Sequence, residues 1–239
     1  MTLVPSKGAG ASLLLKGFDE VSMLMSDNVF DYIANEYDAR YYSDACSLEN
    51  GDIESLLKDV LPPHAKSVLE IGCGTGHWLS VLSNITNIER LIGIEMSHEM
   101  TVRARQKLSS HRNVQIIEKD FNLYYTIEKF DLVVTIFFWS LLDNFKDDNI
   151  ISYFKKIYDM IDIDGKFFII ENCIPNKSSG TKVDFYPLEI EENWDSKTFS
   201  VLYNLYSPDF LSQALLKSGF KNVLHRSLNN DMFALVANK

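Results

Sequence analysis

From residue 67 onward, short apolar runs alternate with segments whose apolar positions recur every three or four residues. Ser67–Ile71, Arg90–Glu95 (RLIGIE), Val114–Glu118, Phe130–Thr135 (FDLVVT) and Gly165–Glu171 (GKFFIIE) read as strands. FDLVVT is a continuous apolar run of the kind buried on both faces of a parallel sheet. Between the runs, His77–Ser83, Ser97–Leu108 and Asn149–Met160 carry helical periodicity, with Ser97 placed as a cap and Glu99 in the first turn. The repeated strand–helix–strand order predicts an α/β protein with a doubly wound, mostly parallel sheet. Two further runs, Lys221–Ser227 and Met232–Ala237, bring the strand count to seven. The Asn-rich turn between them predicts an antiparallel last strand. The helix Pro208–Ser218 precedes this pair and is capped by Gly219.

The pattern differs at both ends of this core. Val29, Ile33, Tyr37 and Tyr41 share one face of a predicted helix over residues 28–42. Ile53, Leu56, Leu57 and Val60 share a face of a second, stopped by Pro62 and Pro63. Residues 1–60 therefore read as a mobile arm followed by a helical lid, and 61–239 as the core. Residues 172–206 form an insertion whose first part, to about residue 200, is polar, acidic and turn-rich.

Composition narrows the picture. With 46% hydrophobic and 23% charged residues, the 239-residue chain is an ordinary globular protein. Its formal net charge of −10 disfavours phosphate backbones, so no nucleic-acid partner is expected. The three cysteines, Cys46, Cys73 and Cys173, are scattered and form no Cys-x-x-Cys pair. A reducing, cytoplasmic location fits that usage. Leu13–Leu15 is too short for a signal-peptide core, and no run is long enough to span a membrane.

The chemistry concentrates at VLEIGCGTGHW, residues 68–78. A strand ends in Glu70–Ile71, and Gly72, Gly74 and Gly76 follow at alternate positions before a helix begins. A dinucleotide fingerprint would place its third glycine at position 77, where this chain has His77. Glu70 also stands where a pyrophosphate site keeps an apolar residue. A carboxylate there suits a ligand carrying an ammonium group and a sulfonium.

The E-x-G-x-G-x-G run after a strand resembles motif I of the class I S-adenosylmethionine-dependent methyltransferases. Glu95 ends the second strand and Met96 follows it. Asp120–Phe121 follows the third strand, FDLVVT leads into IFFWSLLDNF, and LYSPDFLSQALLKSGFKNV precedes the last two strands. The resemblance covers roughly residues 28–239. It implies a Rossmann-like sheet, S-adenosylmethionine as cofactor and a small-molecule acceptor. It implies cofactor contacts from Tyr37, Glu70, Gly72, Cys73, Gly74, Gly76, Glu95, Met96, Asp120, Phe121 and Thr135. Glu95 would take the ribose hydroxyls, Met96 would pack on the adenine, and Asp120 would accept from the adenine amino group. Asp120 is also read as a turn former beside Asn122, and Tyr37 as an amphipathic core residue.

The acceptor side is thinner. Tyr41, Trp139, Tyr186, Trp194 and Tyr203 fall in segments that form the acceptor pocket in relatives, although single aromatics are commonly core. Many relatives carry a histidine where this chain has Leu141, so no general base transfers by resemblance. His77 is a weak candidate base or a packing group. Asp143–Asn144 faintly resembles the metal acids of catechol-type relatives, but the other ligands are unrecognisable and no metal is expected. Glu189, Glu191, Glu192 and Asp195 read as a solvated face, or as acids attracting an amine acceptor. N- or O-methylation is favoured, because a neutral amine or an acidic hydroxyl needs little base help. The alternatives are an aminopropyltransferase, a cofactor-assisted cyclase, or a non-catalytic methyltransferase-like subunit.

Overall fold

The computed structural model describes residues 28–43, 47–85, 87–142, 147–174, 183–194, 197–228 and 231–239. The expected arm, Cys46, Asp143–Asn144, Asp195 and the loop at 176–180 lie outside the described residues. Fifteen elements follow in chain order: α1 (Asn28–Tyr41), α2 (Ser47–Val60), β1 (Ser67–Ile71), α3 (His77–Ser83), β2 (Arg90–Glu95), α4 (His98–Lys107), β3 (Val114–Glu118), β4 (Phe130–Ile136), α5 (Asp147–Met160), β5 (Ile161–Asn172), β6 (Phe185–Trp194), β7 (Lys197–Tyr206), α6 (Pro208–Lys217), β8 (Lys221–Ser227) and β9 (Met232–Asn238). No described helix is long and apolar enough to cross a membrane.

Seven strands form one sheet in the order β3-β2-β1-β4-β5-β9-β8. β3, β2, β1, β4 and β5 run parallel to one another, and β9 runs antiparallel to both β5 and β8. The period-two pattern of the strands explains the two-sided core. Leu69, Ile71 and Val133 pack with Phe154 of α5 and Leu215 of α6. Their alternates Val68, Leu132 and Val134 pack with Leu57 of α2 and Leu79 of α3 on the opposite face. Asp131 fastens the start of this sheet. One of its carboxylate oxygens accepts from Lys66 N at 2.8 Å, Ser67 N at 2.9 Å and Ser67 Oγ at 2.8 Å.

The caps are those expected from the residue types. Ser97 Oγ accepts from Met100 N at 3.2 Å, and Ser207 Oγ from Phe210 N at 3.1 Å. Gly219 follows α6 with φ of 106°.

The segment after β5 departs from expectation. Instead of a turn-rich stretch, β6 and β7 pair from Phe185–Tyr206 to Trp194–Lys197 as a separate antiparallel hairpin. Exposure along β6 alternates residue by residue, so Tyr186, Leu188, Ile190, Glu192 and Trp194 share the covered face. The acids interrupt the apolar run and mask that period. Glu192, expected among solvated acids, is buried with them.

Candidate active site

β1 and β4 are neighbours although β2 and β3 separate them in sequence, so the sheet reverses its winding there. A cleft opens beyond the C-terminal ends of the strands at that reversal, the position at which open α/β sheets bind ligands. About 1120 Å³ of space lies between its walls, the open mouth included. Glu70, Gly72, Cys73, Gly74, Glu95, Met96, Asp120 and Phe121 line it, with Tyr37 from α1.

The loop after β1 brings backbone, not side chains, toward this cleft. Gly72 has φ of 71°, and a Cβ there would stand 2.5 Å from Phe138 Cδ2. Gly74 has φ of 52°, and a Cβ there would meet nothing within 4 Å. Both conformations favour glycine, and the second leaves open room beside the loop. Gly74 N donates to Glu95 Oε2 at 2.9 Å, and Ser97 N donates to Glu95 Oε1 at 2.9 Å. Glu95 is thereby held in one orientation at the cleft, with lone pairs to spare on both oxygens.

Glu70 lies 1% exposed on the cleft floor. Among the described residues, its Oε2 has no hydrogen-bond partner. Burial, and then the charge of Glu95, push its carboxyl well above the usual range. Burial likewise raises Glu95. Two buried acids, one with an oxygen that lacks a donor, thus face each other's charge on this floor. Asp120 does two things: it lines the cleft, and its Oδ1 accepts from Asn122 N at 2.8 Å to cap the turn Phe121–Leu123.

Other expected site residues lie elsewhere. Gly76 is not on the cleft wall; its φ of 76° turns the chain into α3 against Ala104 and Leu108. Thr135 is fully buried in β4, and its Oγ1 accepts from Trp139 Nε1 at 2.9 Å. None of the five aromatics expected at the acceptor lines this cleft. Trp139 is enclosed by Phe138, Phe154 and Phe167 in the core. Tyr41, Trp194 and Tyr203 gather around Glu192, and Tyr186 packs within the hairpin's own apolar cluster. His77 faces an outer groove with Asp38 and Lys107, its ring stacked 3.7 Å from Tyr42. Burial and the Lys107 charge push it down to about 4.

Sequence reading missed the aromatic and apolar walls: Phe30, Tyr42, Trp78, Phe137, Phe138, Leu141, Leu142 and Tyr153. Phe137, with φ of 53°, is a bulky residue in the left-handed region at the end of β4. For Phe137, Phe138, Leu141 and Leu142 the available signal was their position in the segment following FDLVVT. Glu171 supports that segment from behind. Its Oε1 accepts from Trp139 N at 2.6 Å, and burial pushes its carboxyl up to about 7.

An acid–glycine loop after the first strand, a second acid after the second strand and a single antiparallel strand near the sheet edge define the class I methyltransferase architecture. The model of the methyltransferase domain family matches residues 45–225, and the chain belongs to that family. The structure superposes on DhpI in its SAM-HEP complex with a TM-score of 0.69 at 16% identity, over 92% of this chain and 99% of that one. An S-adenosylmethionine-dependent methyltransferase from Clostridium acetobutylicum gives 0.61 at 17% identity, over 88% and 99%. At such identities the likeness is one of fold. Malonyl-[acyl-carrier protein] O-methyltransferase 2 of Ilyobacter polytropus is 29% identical over 91 residues, 37% of this chain and 35% of its own length. Carboxy-S-adenosyl-L-methionine synthase of Nautilia profundicola is 27% identical over 157 residues, 65% of this chain and 63% of its own. These last two matches each leave more than a third of the relative uncovered.

Proposed function

We propose that the chain binds S-adenosylmethionine in the cleft between α1 and the strand ends and methylates a small-molecule acceptor at nitrogen or oxygen. The observation that carries this reading is the buried carboxyl of Glu70, its Oε2 without a partner among the described residues, beside the oriented carboxyl of Glu95. Together they offer acceptors, and on ionisation beside the ligand negative charge, to a cation bearing an ammonium and a sulfonium. Glu95 would hold the ribose hydroxyls, Asp120 and Phe121 the adenine, Met96 its other face, and the loop of Gly72 and Gly74 the methionine portion. When bound, S-adenosylmethionine supplies both the electrophilic methyl group and its own leaving group.

The chain's own task is then alignment and exclusion of water. Phe30, Tyr37, Phe137 and Phe138 provide apolar walls for both. No histidine lines the cleft among the described residues. Burial raises Tyr37 and Tyr42, so neither phenol serves as a base. That composition supports an acceptor that brings its own electron pair, such as a neutral amine or an already acidic hydroxyl. A net charge of −10 argues for a small acceptor over a polyanion.

The test is calorimetric titration with S-adenosylmethionine, followed by a labelled-methyl transfer screen over small amines and phenols. Wild type binds, and Glu95→Ala weakens binding about ten- to hundred-fold, the loss expected for charge-assisted hydrogen bonds. Unaltered affinity in Glu95→Ala contradicts the site. Transfer of an aminopropyl group when decarboxylated S-adenosylmethionine is supplied, or binding of S-adenosylmethionine without any transfer, contradicts the reaction.

A further inference from the structure

The β6–β7 hairpin touches both walls of the cleft. On one side, Asn204 Nδ2 of β7 donates to Leu142 O at 2.8 Å, and Leu141 packs into the hairpin's cluster beside Tyr203 and Leu205. Leu141 and Leu142 line the cleft. On the other side the hairpin meets α1, and the contact is centred on a buried acid. Glu192 is 5% exposed. Its Oε1 accepts from Tyr203 Oη at 2.6 Å, and its Oε2 from Trp194 Nε1 at 3.0 Å and Tyr41 Oη at 3.2 Å. Tyr203 belongs to β7, Trp194 to β6 and Tyr41 to α1, so one carboxyl joins three elements.

Arg40 of α1 reinforces the joint. Its guanidinium lies 4.2 Å from the Trp194 ring centre, and Nη1 donates to Asn193 O at 2.9 Å. Tyr41 in turn packs on Tyr37, with ring centres 4.7 Å apart, and Tyr37 is a wall of the cleft. A path of direct contacts therefore runs from β7 through Glu192 and Tyr41 to Tyr37.

We propose that Glu192 is the positioning residue by which the β6–β7 hairpin holds α1, and with it Tyr37, closed over the cofactor cleft. The proposal rests on the cofactor reading above for its consequence, and on the contacts alone for the latch. A solvated surface acid would contribute little to either. When a buried carboxyl serving three donors is lost, the hydrogen bonds that join Tyr41, Trp194 and Tyr203 through it are lost together, and these residues lie on separate elements. Removing it therefore favours separation of the elements. The apparent cofactor affinity falls by the fraction of molecules in which α1 remains closed.

The test compares Glu192→Gln and Tyr203→Phe with wild type, using the full chain. Glu192→Gln keeps the side-chain shape, and Tyr203→Phe keeps the acid while removing one donor. Amide hydrogen exchange is followed over α1 and over β4, and S-adenosylmethionine affinity is measured by calorimetry. Both variants should speed exchange across α1 and weaken binding by about ten-fold, with β4 exchange at the wild-type level. Glu191→Gln, on the exposed face one residue away, should match wild type in both. Wild-type α1 exchange in both variants overturns the proposal, as does equal acceleration of β4, which would make Glu192 a support of the whole fold. The exchange measurement needs no cofactor. If wild type does not bind S-adenosylmethionine, the functional reading fails while the latch is still tested.

Discussion

Glu70 and Glu95 differ in what holds them, and the difference has a pH consequence. Glu95 accepts two backbone N–H groups, whereas Glu70 keeps an orphaned oxygen and retains its proton above the ordinary carboxylate range near 4.3. A bound cation favours the ionised form, so binding S-adenosylmethionine should release a proton, and affinity should rise with pH until the free-state pKa is passed. Calorimetry in buffers of different ionisation enthalpy reads that proton, and Glu70→Gln should reduce both the release and the slope. Glu171 gives the opposite sign for folding. Its carboxyl is raised from 4.5 to about 7, so between those values the folded state holds a proton that the unfolded chain has lost. Stability should fall as pH rises through that window, by up to about 3 kcal/mol. Glu171→Gln should flatten the dependence in urea titrations at successive pH values. Glu70, Glu95 and Asp120 were readable in sequence because they stand at strand ends beside a glycine pattern. Glu192 was not, because nothing in EIEENWD distinguishes the acid that turns inward.

The central strands and the helices of the core follow from local pattern because β1, β2 and β4 are buried on both faces and the helices cover those faces. Asp131 shows how little polar material secures the arrangement: one oxygen serves two backbone amides and a hydroxyl at the start of β1. Asp131→Ala should cost about 1–3 kcal/mol by leaving those donors without their acceptor. In guanidinium unfolding this appears as a lower midpoint with an unchanged slope. The hairpin is where pattern reading failed. Alternation was present along β6, but its covered face mixes Tyr186, Glu192 and Trp194 with Leu188 and Ile190, so hydrophobicity alone did not display the period. The acid becomes acceptable on that face because Tyr41 of α1 and Tyr203 of β7 are brought to it, beside Trp194 of its own strand.

In the molecule as a whole, the cleft lies where separately built parts meet: the strand ends, α1, and the wall 137–142 backed by the hairpin. A ligand that binds only this assembled state stabilises it by mass action. At S-adenosylmethionine concentrations near 100 Kd the gain is about 2.7 kcal/mol, which should raise the melting temperature by roughly 5–10 °C for a chain of this size. Thermal scans with and without ligand check this, and Glu95→Ala should lose most of the shift.

The glycine loop, the acids at the strand ends and the two-faced strands could be read from the chain because each depends on neighbours close in sequence: a positive φ, a strand terminus, an alternation of side chains. Which aromatics face the cleft could not. Trp139 and Phe138 are adjacent, yet one is enclosed in the core and the other lies against Gly72. That choice was made by the backbone turn at Phe137 and by residues distant in sequence. The same holds for Glu192, whose burial depends on donors from α1 and β7. Local order set the strands and their chemistry, while long-range packing selected the walls of the cleft and the joint between α1 and the hairpin.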